Sequence, residues 1–341
     1  NFTTTRKNLP AALELVFDAM HNSIMPQDEF DQFKKQMQVM IESMRDKPDA
    51  LAQNAITQHF NTYPKGDPRY EYSLDESLEQ LNKLTVDQVR AFYKEFGGTS
   101  RGEISIVGDF DPKAVEKIIR DDYAKYVSKA HYAPVVTEYR PVKATRVVID
   151  TPDKENAIIV ARSVFPINDT APDAPALTVA NWILGGGTGL SNRLIERLRQ
   201  KEGLSYGAGS HVRIPAKGDN GSFVFRAIVA PQNMLQAEAS ARDVIAKAIK
   251  DGFTDQEVEE AKKGLLQAMQ VARSQDDVVA RSWNDKMENQ RTWVFSKKQA
   301  EAISKLTTAD VNAALRKYIK PDEITFVLAG DQKKAAQKKQ D

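Results

Sequence analysis

Arg199 and Tyr206 stand seven residues apart in the stretch LGGGTGLSNRLIERLRQKEGLSYGAG, which runs from Leu184 to Gly209. A guanidinium offers a planar set of N–H donors and a phenol offers one O–H. Both can hold a carbonyl oxygen while it gains negative charge. Three consecutive glycines, Gly185, Gly186 and Gly187, precede them. A phosphate loop, a plain structural turn and a hydrogen-bonding clamp could all start from such a pattern. The phosphate loop fails on detail. A Walker loop needs Gly-Lys-Ser/Thr at the helix start, and Thr188-Gly189-Leu190-Ser191 contains no lysine. A dinucleotide fingerprint belongs in a parallel strand–helix–strand unit, whereas the preceding ALTVANWIL reads as helix. The structural turn stays open: Leu190, Leu194 and Leu198 form a stripe at four-residue spacing, Gly203 is a helix stop, and LSYGAGSHV reads as a strand.

Metal and nucleic-acid chemistry have less to stand on. The chain has no cysteine, and its four histidines, His21, His59, His131 and His211, are far apart and head no His-x-x-Glu-His motif. Each reads as an ordinary surface or core histidine. Lys+Arg number 48 against Asp+Glu 47, so a net charge of +1 gives no global electrostatic reason to expect nucleic acid or a membrane surface. No stretch approaches 18 uninterrupted apolar residues, so no membrane span is expected. With 341 residues, 41% apolar and 28% charged, the chain reads as a globular protein of about two domains.

The elements that must position Arg199 and Tyr206 emerge from an internal repeat. KLTVDQVRAFYKEF, containing Leu84 and Thr85, reappears as KLTTADVNAALRKYI, containing Leu306 and Thr307. Each copy leads into a run ending in Gly-Asp, EISIVGD and EITFVLAGD, and each is preceded by a related acidic segment, PQDEFDQFKKQM and TDQEVEEAKKGL. The fold class is therefore α+β: two homologous units of antiparallel sheet packed with helices, the first incomplete at its N-terminal side. Expected boundaries are 1–126 for the C-terminal part of the first unit, 127–143 for a Pro-containing linker, and 144–331 for the complete second unit. Residues 332–341 read as a solvated basic tail. Helices are expected near 48–60, 85–96, 112–123, 173–184, 233–251 and 254–274. Strands are expected at 103–108, TRVVID, NAIIVARSVF and GSFVFRAIVAP. The stripe Phe30, Phe33, Met37, Met40, Ile41 and Met44 is expected to be core.

The stretch around Arg199 and Tyr206 resembles the C-terminal signature of the insulinase/pitrilysin family of zinc peptidases (peptidase M16), which includes mitochondrial processing peptidases. Leu198-Arg199, Gly203-Leu204 and Tyr206 carry that likeness, and DEFDQFKKQ, LTVDQVRAFYKEF with VGDFDP, and the closing LAGD extend it over nearly the whole chain. The resemblance implies paired α+β domains around a closed chamber. Arg199 and Tyr206 would bind substrate and stabilise its transition state, with Gly185, Gly186 and Gly187 close to the substrate. The family's third zinc ligand, a glutamate, would fall at Val39 or Met40, with Glu42 nearby but out of register. The resemblance therefore implies a zinc-free half: no cofactor in this chain, zinc in a partner half or subunit, extended peptides as substrates, and no hydrolysis by this chain alone. A homodimer stays open, as does a structural subunit like the core proteins of a respiratory complex. The repeat suggests that a missing half-unit precedes Asn1, and the lack of cysteine together with the likeness suggests a periplasmic location, with the cytoplasm as alternative.

Overall fold

The computed structural model describes residues 1–187 and 192–337. They form two compact units that interleave along the chain: Asn1–Ile41, Glu76–Pro134 and Gln270–Trp293 in one; Glu42–Asp75, Val135–Met269 and Val294–Asp341 in the other. Packing units and sequence repeats are thus different partitions of this chain, although one crossing between the units, from Pro134 to Val135, falls inside the 127–143 segment.

The larger unit is built on a five-stranded sheet of β1 (Arg146–Asp150), β2 (Ala157–Pro166), β3 (Ser205–Arg213), β4 (Asn220–Val229) and β5 (Thr325–Gly330), in the order β1-β5-β2-β4-β3. The pairs β2–β5, β2–β4 and β3–β4 are antiparallel as expected, but β1 runs parallel to β5. A parallel neighbour needs a long crossover, and nearly the whole unit lies between these two strands. Alternation divides the side chains between two buried faces. Ile159, Ala161, Phe223, Phe225, Phe326 and Leu328 share one core with helices Ala174–Asn181, Met234–Asp251 and Thr308–Tyr318. Ile158, Val160, Val327 and Ala329 share the other with Ala52 and Ile56 of helix Pro48–His59. Burial on both faces explains why β2 and β5 read as almost unbroken apolar runs.

Glu238, buried in the first of these layers, accepts hydrogen bonds from Arg146 at 2.7 Å and from Arg242 at 2.9 Å. Burial pushes its pKa up, but the two guanidinium groups outweigh burial and hold it below the ordinary carboxylate value. A carboxylate depressed in the folded state adds stability that is complete at neutral pH. That stability is lost as pH falls below the ordinary value of 4.5 and through the folded pKa. Glu238→Gln is expected to cost about 2 kcal/mol at pH 7. Its stability should also fall less steeply than the wild type's below pH 4.5, read from urea unfolding at several pH values.

The smaller unit contains helices Leu9–His21, Val86–Phe96, Pro112–Asp121 and Asp276–Glu288, with a core of Leu9, Leu13, Phe17 and Val115. The repeat is visible in its caps. Thr85 with Gln88, and Thr307 with Asp310, close the same reciprocal capping box at the start of each repeated helix. Two expectations fail here. Residues 103–108 form no strand; Ile104 and Ile106 instead pack on the small core, because among the described residues this unit has no strand to share a ladder with. The stripe along helix Gln27–Met44 is not core: Phe33 is 60% and Met40 41% exposed, and Ile41 alone is fully buried. The second copy shows why. Val311, Leu315 and Tyr318 are buried against the sheet layer, whereas Phe92 and Phe96 of the first copy stay exposed where no sheet lies. The expected tail begins as helix Gln332–Gln337, with Ala335 buried and the Asp331 carboxylate accepting from the Lys334 amide at 3.0 Å.

Candidate functional site

Helix Ala174–Asn181 runs into a wider π-helical turn, Trp182–Gly186. Thr188, Gly189, Leu190 and Ser191 lie outside the described residues, so the Leu190 end of the expected stripe does too. The chain is described again at buried Asn192, whose side chain caps the next helix by accepting from the Ile195 amide at 2.9 Å. One turn, Arg193–Ile195, widens into a second π-helical segment, Glu196–Lys201. Leu194 and Leu198 are fully buried beneath it, as their spacing predicts. Gly203, at φ +60, takes the left-handed conformation that ends the helix, and the Leu204 amide closes back on the Leu198 carbonyl at 2.8 Å. Single π-helical turns insert an extra residue and recur at functional sites.

That hairpin brings the chain into β3, and Tyr206 sits at its first irregularity. Ser205 pairs with Val229 and Gly207 with Ile228, so Tyr206 is the extra residue of a β-bulge. A bulge re-aims one side chain out of the ladder, and Tyr206 is 67% exposed. Ser205 supports it. Its buried hydroxyl lies 2.7 Å from the Gly207 carbonyl and 2.9 Å from that of Ile228, and accepts the Gly207 amide at 3.1 Å. Ser205→Ala is expected to cost about 1 kcal/mol in denaturant unfolding, since it leaves those groups short of a partner.

Charge separates Arg199 from its neighbours. Arg193 holds Glu257 at 2.6 Å and lies over the Phe253 ring, Arg197 pairs with Glu202 and Asp243, and Lys201 pairs with Glu196 at 2.8 Å. Arg199 is exposed and has no ion-pair or hydrogen-bond partner among the described residues. The paired side chains stiffen the segment while one guanidinium stays available. Arg199 and Tyr206 thus emerge from two rigid pieces joined by the Leu198–Leu204 bond.

The three glycines are each faced by this chain's own atoms. A Cβ on Gly185 would stand 2.5 Å from Ser210 Oγ and 2.7 Å from both the Ser210 nitrogen and Leu194 Cδ1. On Gly186 it would meet Asn181 Nδ2 at 2.3 Å, and on Gly187 the Trp182 carbonyl at 2.9 Å. Ser210 also donates to Asn181 Oδ1 at 2.8 Å, tying the π-helical turn to β3. Close helix–strand packing therefore accounts for Gly185, and close packing within the π-helical turn itself for Gly186 and Gly187.

The histidines stay apart: the His59 ring nitrogen lies 2.9 Å from the Lys143 carbonyl, His21 packs on the Tyr126 ring, His211 stands on β3, and His131 is exposed. Val39 and Met40 are exposed apolar residues, and Glu42 pairs with Arg45 at 2.9 Å. No three His, Cys, Asp or Glu side chains gather into a metal-holding group among the described residues.

Residues 83–265 match the family described as the peptidase M16 inactive domain. The chain belongs to the peptidase M16 family. An uncharacterized zinc protease of Mycobacterium tuberculosis is 24% identical over 261 residues, covering 76% of this chain and 57% of that protein. The non-peptidase homolog YmxG of Helicobacter pylori is 21% identical over 259 residues, covering 75% and 58%. The chain thus spans less than two thirds of these relatives. The crystal structure of a peptidase M16 inactive domain from Pseudomonas fluorescens superposes with a TM-score of 0.81 at 22% identity, over 95% of this chain and 75% of that one. The M16 signature was legible in the sequence. The π-helical turns, the bulge and its Ser205 support were not, since no residue type marks them. One residue did carry an overlooked signal: Arg162, a lone charge inside the apolar run of β2.

Proposed function

We propose that this chain is the zinc-free half or subunit of an M16 metallopeptidase and supplies Arg199 and Tyr206 as a clamp on extended peptides held in an enclosed chamber. The observation that carries the reading is the pair itself: a guanidinium without a partner among the described residues and a bulge-borne phenol, both exposed, on segments stiffened by buried leucines and ion pairs. The guanidinium and the phenol donate to a peptide carbonyl as its oxygen gains charge. The backbone segments that carry them are tied down before substrate arrives, and preorganised donors of this kind are worth about 3–4 kcal/mol. The metal and the attacking water belong to the partner half; this chain binds and orients.

The test is reconstitution. Mixed with an M16 chain that carries His-x-x-Glu-His, this chain is expected to form a complex and to raise turnover of a quenched fluorescent peptide well above either chain alone. A complex that forms without any rise in turnover would support the second reading, a non-catalytic binding subunit. The likeness to a non-peptidase homolog favours that alternative.

A further inference from the structure

The register of the sheet places a basic group where the packing would otherwise be apolar. Arg162 of β2 and His211 of β3 flank Val224 of β4, and Arg213 stands one step along β3, opposite Ser222. This is the face that carries Ile158, Val160 and Ile228 beneath helix Pro48–His59. Just past the end of that helix, the Arg162 guanidinium lies over the Phe60 ring at 4.8 Å. Its Nε is shut off from solvent and has no hydrogen-bond partner among the described residues. The charges that act on it most are the like charge of Arg213 and, more weakly, the opposite charge of Glu71, and it makes no ion pair among the described residues. Burial first, and Arg213 second, push its pKa down, but a guanidinium stays charged at any physiological pH.

Neighbouring arginines are treated differently. Arg146 and Arg242 share Glu238, Arg193 has Glu257, and Arg226, on the same face of the sheet, has Asp49 at 2.7 Å. A half-buried charge without a counter-ion is costly, and such costs are kept where a ligand completes the site. The missing partner is an oxyanion, and a planar carboxylate fits the fork of a guanidinium.

We propose that Arg162, assisted by Arg213, is a carboxylate-binding subsite that holds an acidic side chain or the C-terminal carboxylate of a bound peptide. The peptide identity rests on the function proposed above; the carboxylate chemistry does not. The 15Nε–1Hε resonance of Arg162 in the complete chain, at low ionic strength, reads the site directly. Titration with N-acetylglutamate α-amide, which carries a side-chain carboxylate, or N-acetylalanine, which carries a terminal one, is expected to shift it saturably. Neutral N-acetylglutamine amide is expected not to. Which probe binds tells the two sources apart. Arg213→Gln, on an exposed residue, should weaken binding about tenfold, and Arg162→Lys, which loses the fork, should abolish saturable binding seen by calorimetry. Arg162→Met should leave Tm unchanged or higher, since it removes an uncompensated charge. The proposal is overturned if neither carboxylate shifts the resonance, if the neutral probe shifts it equally, if Arg162→Lys binds as well as the wild type, or if Arg162→Met lowers Tm by several degrees. None of these readouts involves turnover, so an inactive clamp and an absent subsite are distinguishable.

Discussion

Arg199→Ala, assayed in the protein assembled with its zinc-bearing half, is expected to lower kcat by about 10²–10³ while leaving the unfolding transition unchanged. Tyr206→Phe, which removes only the phenolic O–H, is expected to lower it by about 10². The two sides of this expectation come from the same geometry. Neither side chain has a hydrogen-bond or ion-pair partner among the described residues, and Tyr206 is 67% exposed, so truncation removes little that holds the fold. A donor that acts only as charge develops lowers kcat and kcat/KM together. A rise in KM with kcat unchanged would instead mean that the pair binds ground-state peptide. Unchanged turnover in both variants would remove the clamp from the mechanism.

Gly185→Ala is expected to destabilise the larger unit by about 1–3 kcal/mol, with the denaturant midpoint falling and the m-value unchanged. The added methyl would stand 2.7 Å from the backbone nitrogen of Ser210 as well as 2.5 Å from its hydroxyl. A backbone atom in a ladder cannot rotate aside, so the π-helical turn or β3 must shift. Because β3 also carries Tyr206, turnover should fall further than the loss of stability explains. Gly207→Ala is the control: its methyl would enter open space, with an expected effect within about 0.5 kcal/mol. Equal effects at Gly185 and Gly207 would show that the close approach is not what selects glycine.

The helices that follow the repeated Leu-Thr pairs and the apolar strands of the larger unit were legible because each rests on local chemistry. A threonine three residues before Gln88 or Asp310 caps a helix by reaching its own backbone, whatever surrounds it. The exposed stripe of Phe33 and Met40 and the unpaired run at 103–108 were misread for the opposite reason. Period and apolarity state that a face wants covering, and only the assembled unit decides whether a sheet is there to cover it. The same division holds at the candidate site. The sequence by itself determined the M16 signature, the choice of Arg199 and Tyr206 as candidates, the buried Leu194 and Leu198, and the lack of histidine spacing for zinc. Tertiary structure decided that Tyr206 is the extra residue of a bulge and that, among the described residues, Arg193, Arg197 and Lys201 are paired while Arg199 is not and Arg162 is left without a carboxylate. Bulges, ion pairs and their absences are relations between segments far apart in the chain. Residue type sets what a side chain can bond to, but strand register and burial set what lies within its reach.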